Sequence, residues 1–167
     1  GDGVETTSFQ IDVYTPAMQL TGIDFGVVAV NSIEARPQGT FANLNEGQSG
    51  LKTDNTTAAT SSGWVRDTNY WTSSPLPANT YHNFEVYYRD QQGNVDGPQS
   101  GGRYTLIETP TGLTVNSIGI SGVTLTPEGS FTNLTLDQSG VRIENTTAGG
   151  AHNNGWAQNS NSWTDSG

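Results

Sequence analysis

The sequence predicts an all-β protein made of tandem β-sandwiches, and three observations support that prediction. Helical periodicity is absent, while short runs of alternating apolar and polar residues recur between Gly, Pro, Asn and Asp. Residues 49–58, SGLKTDNTTA, return as SGVRIENTTA at residues 139–148. A unit of about 90 residues has the size of a small all-β domain.

The individual strands follow from the same alternation. In chain order, strands are predicted at residues 9–13, 20–25, 32–36, 51–54, twice within 63–72, and at 82–90, 104–107, 113–115 and 123–125. A turn is predicted at residues 37–39 because Pro and Gly stand close together there. About seven strands in about 90 residues favour a two-sheet sandwich.

The clearest of these strands is 82–90. Because side chains alternate between the two faces of a strand, its even positions are expected to face the core and its odd positions the solvent. The expected inward residues are His82, Phe84, Val86 and Tyr88.

Two segments resemble the fibronectin type III family. Residues 76–80, Leu-Pro-Ala-Asn-Thr, lead into the strand at His82, and residues 110–115, PTGLTV, look like the start of another such domain. In that family a tyrosine near this point hydrogen-bonds back across a corner of the sandwich. Alignment puts His82 at the tyrosine position, with Tyr81 one residue early. The resemblance covers nearly the whole chain and implies tandem repeats of a surface or secreted protein.

With this resemblance, residues 17–109 are expected to form one complete domain. Residues 1–16 are expected to be the last strand of a preceding repeat, and residues 110–167 the first part of a following, truncated one. Both partial copies lack a stretch matching residues 75–92, which includes an inner strand. Two interpretations stay open: a segment of a long array, or a filament subunit that receives its missing strand from a neighbour. The candidate donor residues are Phe9, Ile11 and Val13.

Charge and composition limit the expected partners. The net charge is −10, with six Lys and Arg residues against 16 Asp and Glu. Nucleic-acid binding and membrane insertion are therefore not expected, since the former needs a basic face and the latter a long apolar run. Cysteine is absent, which removes disulfides and thiolate metal sites and favours a bacterial or archaeal surface protein over an animal one. We expect an extracellular or cell-surface location.

The tryptophans offer one candidate binding site. They stand seven residues apart in both copies, as Trp64 with Trp71 and Trp156 with Trp163. One interpretation is a stacking platform for the sugar rings of a polysaccharide. The other is packing, because a sandwich commonly buries a tryptophan at an equivalent position in every repeat.

A second candidate is a calcium site in the turn at residues 90–97, which places Asp90, Asn94 and Asp96 close together. Calcium takes six to eight oxygen ligands from loops of this kind. Asp and Asn before Gly are also ordinary hairpin residues, so the turn has a structural explanation as well. No other cofactor is expected.

Three sequons mark candidate glycosylation sites at Asn55, Asn133 and Asn145. The pair that recurs in both copies is equally explained as a turn in which the Asn side chain bonds the backbone. The two histidines, His82 and His152, occupy non-equivalent positions and are expected to be an inward residue and a loop residue.

No nucleophile elbow, phosphate-binding loop or metalloprotease motif occurs in the sequence, so we expect a non-enzyme. The favoured function is that of an extracellular spacer, stalk or surface-layer segment that contacts neighbouring repeats or other copies of itself. The alternatives are a filament subunit joined by strand addition and a carbohydrate-binding or adhesion module.

Overall fold

The computed structural model describes residues 19–148 and 152–166, and every regular element in these residues is a β-strand. The prediction of an all-β chain is confirmed. The strands are β1 (Gln19–Val28), β2 (Ile33–Thr40), β3 (Gly50–Asn55), β4 (Thr60–Ser61), β5 (Trp71–Ser73), β6 (Tyr81–Arg89), β7 (Val95–Tyr104), β8 (Gly112–Gly119), β9 (Gly122–Glu128) and β10 (Trp163–Ser166).

Strands β1 to β7 form a sandwich of two antiparallel sheets. One sheet has the order β1-β2-β5 and the other β4-β3-β6-β7. Ile33 and Ala35 of β2 pack against Phe84 of β6 in the space between them, and all three are fully buried. Phe25 of β1 meets Phe84 edge-on, with ring centroids 5.6 Å apart. This pairing of a three-stranded and a four-stranded sheet is fibronectin type III-like.

Strand β6 follows the predicted alternation. His82, Phe84 and Val86 are buried and Tyr88 is half-buried, while Asn83 on the opposite face is exposed. β6 lies between β3 and β7, so its inward face supplies the centre of the core.

The predicted turn at residues 37–39 is wrong. These residues continue β2 and pair with β1, where Ile23 lies opposite Pro37 and Leu20 opposite Gly39. Pro37 is tolerated because β5 pairs only with Ile33 to Ala35, so beyond that point β2 has a neighbour on one side alone.

The predicted strand at residues 104–107 is also misplaced, because the last strand of the sandwich is β7, at Val95–Tyr104. Pro98 and three glycines in this stretch look like strand breakers. They are accommodated because β7 is the edge strand of its sheet. Gly102 is required by close approach, since a Cβ there would lie 2.7 Å from the carbonyl oxygen of His82.

The corner before β6 is closed by a threonine. His82 points into the core, and the Thr105 hydroxyl donates to the carbonyl of Pro77 at 2.6 Å and accepts from the backbone N–H of Thr80 at 3.0 Å. His82, at the position of the family's tyrosine, therefore contacts Asn55 in the core, and Thr105 makes the hydrogen bonds of the corner.

The C-terminal segment forms a second three-stranded sheet with the order β10-β9-β8. Its local contacts follow those of the sandwich at the repeat spacing. Val141 pairs with Ala157 in an isolated bridge, as Leu51 pairs with Val65. These shared contacts support the repeat interpretation, while the proposed division into domains stays a prediction.

Candidate functional site

The main candidate site is the junction between the sandwich and the C-terminal sheet. Two segments meet there: the corner at residues 77–80, before β6, and the loop at residues 133–139, between β9 and β10. We call them the corner and the joint loop. Asn79 donates from Nδ2 to the carbonyl of Asn133 at 2.8 Å and to the Ser139 hydroxyl at 2.7 Å. Ser139 in turn donates to Oδ1 of Asn79 at 2.9 Å.

The exchange is reciprocal. Asn133 donates from Nδ2 to the carbonyl of Ala78 and to the Thr80 hydroxyl, both at 3.0 Å. Each of the two asparagines therefore bonds to the backbone of the opposite segment. Because a planar amide fixes both distance and direction, such an exchange sets the orientation of one unit against the other.

The backbone explains why asparagine stands at both places. Asn79 has φ of 48° and Asn133 has φ of 58°, in the left-handed region. Asparagine enters this region more readily than other residues with a side chain. The same residue type thus makes each tight bend and supplies the amide that crosses the junction.

Two further contacts flank the amide exchange. The Glu108 carboxylate accepts hydrogen bonds from the backbone N–H and the hydroxyl of Thr132, the former at 2.9 Å, and these bonds hold the pKa of Glu108 below its usual value. On the other side, the Tyr104 hydroxyl donates to the Asp137 carboxylate, which raises the pKa of Tyr104.

An open cleft of about 540 Å³ lies beside these bonds, lined by Asn79, Tyr104, Asp137, Gln138 and Ser139. Its lining groups are largely occupied with one another. The geometry of the junction is therefore suited to holding two units together.

The tryptophans do not form a common platform within a copy. Trp71 belongs to β5 and packs against the core of the sandwich. Trp64 lies instead over the outer face of the four-stranded sheet, beside β3 and β6. The Arg89 guanidinium sits 4.5 Å from the Trp64 ring centroid and the Lys52 ammonium 5.8 Å from it. The spacing of seven residues thus places the two rings on different surfaces of the sandwich.

The equivalent residues in the C-terminal segment are arranged differently. Trp156 is 71% exposed, while Trp163 of β10 is half-buried. Of the four tryptophans, Trp156 therefore offers the largest open ring, and sugar stacking stays a prediction that concerns this residue most.

Charged and aromatic side chains alternate on the outer face of β3 and β6. Lys52 lies 4.4 Å from the Tyr87 ring centroid and 2.7 Å from a carboxylate oxygen of Asp54. The Tyr87 hydroxyl donates to Glu85 at 2.6 Å, and this bond, together with burial, raises the pKa of Tyr87 to about 12.

The predicted calcium residues form a hairpin turn that satisfies itself. Asp90 accepts hydrogen bonds from the backbone N–H groups of Gln92 and Asn94 through Oδ1, both at 2.9 Å, and from Nδ2 of Asn94 through Oδ2 at 2.8 Å. These bonds lower the pKa of Asp90. Asp96 bonds the adjacent N–H of Gly97. In residues 19–148 and 152–166 no three His, Asp or Glu side chains converge as a metal site, and calcium binding stays a prediction.

The three sequon asparagines have different environments. Asn55 is fully buried; its Nδ2 donates to the Ser73 hydroxyl at 3.0 Å and its Oδ1 accepts from the N–H of Ala58 at 3.0 Å. Its amide is inaccessible in the folded sandwich, and the bond to Ala58 is the side-chain-to-backbone bond that the turn interpretation expects. Asn145 is half-buried and donates to Asp165 at 2.6 Å, and Asn133 is used at the junction.

The remaining predicted residues fall in two groups. The candidate strand donors Phe9, Ile11 and Val13 lie outside the described residues, so donation stays a prediction. His152 is a loop residue, as expected, and bonds Asp165 at 2.8 Å.

No helix in the described part of the chain is long and apolar enough to cross a membrane.

Sequence reasoning did not single out the junction. Asn79 and Ser139 are 60 positions apart, and no local pattern signals their bond. The available signal was the repeat itself, because Asn43 and Ser49 return as Asn133 and Ser139 at the same spacing.

No protein-family model matches the chain, and neither does any curated protein. Among solved structures, the chain is similar to a segment of two fibronectin type III domains from chicken tenascin, with 13% identity and a TM-score of 0.47 over 89% of this chain and 77% of that one. It is also similar to the chitinase ChiA74 from Bacillus thuringiensis, with 19% identity and a TM-score of 0.42 over 80% of this chain and 20% of that one.

Both TM-scores are below 0.5, so the assignment of the fold depends on the strand order described above. By that order, the chain has a fibronectin type III-like all-β fold.

Proposed function

We propose that the chain is a non-catalytic structural segment of an extracellular protein, a spacer or stalk in which hydrogen-bonded junctions hold successive sandwiches at a fixed angle. The observation that carries this proposal is the reciprocal exchange between Asn79 and Asn133. Both side chains cross the junction and both end on groups of the opposite unit.

The chemistry of the junction supports a permanent contact within one chain. Its bonds are mostly between neutral groups, and each such bond contributes about 1 kcal/mol net. A contact of this strength would not hold two separate molecules together, but it is sufficient when a short linker keeps the units at high effective concentration. The linker between Tyr104 and Gly112 provides that proximity.

The test measures the freedom of the junction. Because the chain has no cysteine, spin labels can be attached at Gln99→Cys on β7 and Ile118→Cys on β8 without competing thiols. We expect double electron–electron resonance to give one narrow distance distribution for the labelled protein. The distribution should broaden when Asn79→Ala and Asn133→Ala are added.

The matched control is Asn83→Ala, which alters an exposed asparagine on β6 away from the junction. It should leave the distribution unchanged. An equally narrow distribution in the Asn79→Ala/Asn133→Ala protein would mean that these bonds do not set the angle, and the rigid-spacer proposal would fail.

A further inference from the structure

The start of β7 carries an Asp-Gly pair that neither the core nor the junction uses. Asp96 and Gly97 are both exposed to solvent. Of the aspartates in the described residues, Asp96 alone is followed by glycine. Because glycine has no side chain to shield its backbone nitrogen, that nitrogen can approach the carboxyl group of the residue before it. The pair is therefore the aspartate site of the described chain at which a reaction within the backbone is least hindered.

The structure brings the two reacting groups together. The backbone N–H of Gly97 donates to Oδ1 of Asp96 at 2.9 Å. In a regular strand the side chain stands roughly perpendicular to the sheet, whereas here the carboxyl group is turned back toward the next peptide. The carboxyl carbon thus lies beside the nitrogen that would attack it.

The peptide that would react also lies outside the strand ladder. In the pairing of β6 with β7, Tyr88 lies opposite Asp96, and the next pair along β6 is Val86 with Gln99. Residues 97 and 98 therefore face a single residue of β6, which makes a β-bulge in an edge strand. A bulge leaves its extra residue unpaired, so this peptide can change shape without breaking the pairs on either side.

The fold also requires the glycine. Gly97 has φ of 115°, a conformation that residues with a side chain rarely adopt. A Cβ at this position would lie 2.8 Å from the carbonyl oxygen of Val86. The bulge thus demands the residue type that leaves Asp96 most open to attack.

We propose that Asp96 is a site of spontaneous covalent modification, at which the folded chain converts aspartate to isoaspartate. The nitrogen of Gly97 attacks Cγ of the protonated carboxyl group. The N–Cγ bond forms, the C–OH bond breaks, and water leaves with the amide proton. Water then opens the resulting succinimide ring at either carbonyl. Opening at the original backbone carbonyl leaves the chain connected through Cγ, with one extra carbon in the backbone and a carboxylate on Cα.

The sandwich can accommodate the product. The added carbon falls within the bulge, where the register between β6 and β7 already shifts. The reaction needs only water, so the modified fraction would increase with the age of the molecule while both forms stay folded. The inference does not depend on the proposed spacer function.

The pair Asn154-Gly155 provides an internal comparison, because asparagine before glycine closes the same ring with loss of ammonia. Here the reacting groups are bonded elsewhere. Oδ1 of Asn154 accepts from the backbone N–H of Ile143 at 2.7 Å, and the N–H of Gly155 donates to Oδ1 of Asn153 at 2.8 Å. Ring closure must first break these bonds, so folding should protect Asn154 and leave Asp96 open.

The test follows both sites in the intact protein, folded in buffer or unfolded in guanidinium chloride, during long incubation in H₂¹⁸O. Trypsin separates the sites onto residues 90–103 and 143–167, and electron-transfer dissociation distinguishes isoaspartate from aspartate. We expect ¹⁸O-labelled isoaspartate at Asp96 in the folded protein. Unfolding should change the rate at Asp96 by less than about threefold and raise the rate at Asn154 by about tenfold or more, since its hydrogen bonds no longer oppose closure.

The matched control is Asp96→Glu, which keeps the charge but would need a six-membered ring, so isoaspartate should disappear from its 90–103 peptide. Persistence of the signal in this variant would place the modification at Asp90 and overturn the proposal. Absence of isoaspartate from the folded protein would overturn it too, as would a rate at Asp96 that rises on unfolding as much as the rate at Asn154.

Discussion

Asn55 donates from Nδ2 to Nδ1 of His82 across 3.3 Å in the interior of the sandwich. Nδ1 must therefore be an acceptor, which places the proton of the neutral ring on Nε2. Within the described residues, Nε2 is buried and has no partner. The ring is thus held neutral by its surroundings, and burial lowers the pKa of His82.

The first prediction follows from this lowered pKa. The unfolded chain takes up a proton near pH 6.5, whereas folded His82 does so only at lower pH, so the free energy of unfolding should fall as the pH drops below 6.5. Denaturant unfolding between pH 7.5 and about 5, above the range of most carboxylates, measures this slope.

His82→Gln keeps an acceptor for Asn55 and should flatten the dependence of the free energy of unfolding on pH. The matched comparison is His152→Gln, which changes the half-exposed histidine beside Asp165. An unchanged slope in His82→Gln would show that another group is responsible.

The second prediction concerns Asn55 itself. Asn55→Ala removes the partners of the Ala58 N–H and the Ser73 hydroxyl in the core and should lower the free energy of unfolding by about 1–3 kcal/mol. Asn133→Ala alters the junction and should change the unfolding of the sandwich much less. Equal losses from the two substitutions, measured by chemical denaturation, would contradict the structural role of Asn55.

The third prediction concerns the outer face of β6. Because the folded state holds the Tyr87 proton more tightly than the unfolded chain, this group contributes stability below pH 10 that is lost between pH 10 and about 12. Tyrosine absorbance at alkaline pH should show a late titration, and Tyr87→Phe should reduce its amplitude by one tyrosine, leaving the groups of Tyr70, Tyr88 and Tyr104, whose pKa is also raised. Glu85→Gln removes the main cause of the shift and should move that titration toward pH 10. If Glu85→Gln leaves it in place, the hydrogen bond to Glu85 is not the cause.

The fourth prediction separates a spacer from a carbohydrate-binding module. If the chain is a spacer, soluble polysaccharides should leave its tryptophan fluorescence unchanged. A change that is lost in Trp156→Ala but kept in Trp64→Ala would contradict the spacer role, because Trp156 is the exposed ring and Arg89 covers one face of Trp64. The two variants together distinguish sugar stacking from a general effect on the fold.

The sequence predicted correctly those strands whose residue pattern matches their position in the sheet. Strand β6 alternates cleanly because it lies between two neighbours with one face on the core. Strand β7 was misplaced because an edge strand tolerates the glycines and Pro98 that would break a central one.

The candidate site was harder to predict for a different reason. Its bonds join positions 53 to 60 residues apart, and several of them end on backbone carbonyls, which every residue carries. The identity of a donor side chain therefore does not indicate which backbone carbonyl will accept its hydrogen bond. The sequence marked Asn133 as a sequon and showed Asn43 and Ser49 returning in the second copy, but neither feature indicates a contact with the corner.

The junction also determines how such a chain would respond to pulling. Sandwich and junction lie in series, so each carries the same tension. The junction is held by a few separate hydrogen bonds, whereas the sandwich is held by continuous strand ladders around the Phe84 core. Under load the Asn79–Asn133 contact would open first and close again when the load is removed. If the chain is a spacer of repeated units, as proposed, it would lengthen reversibly by straightening at such junctions before any strand is extracted.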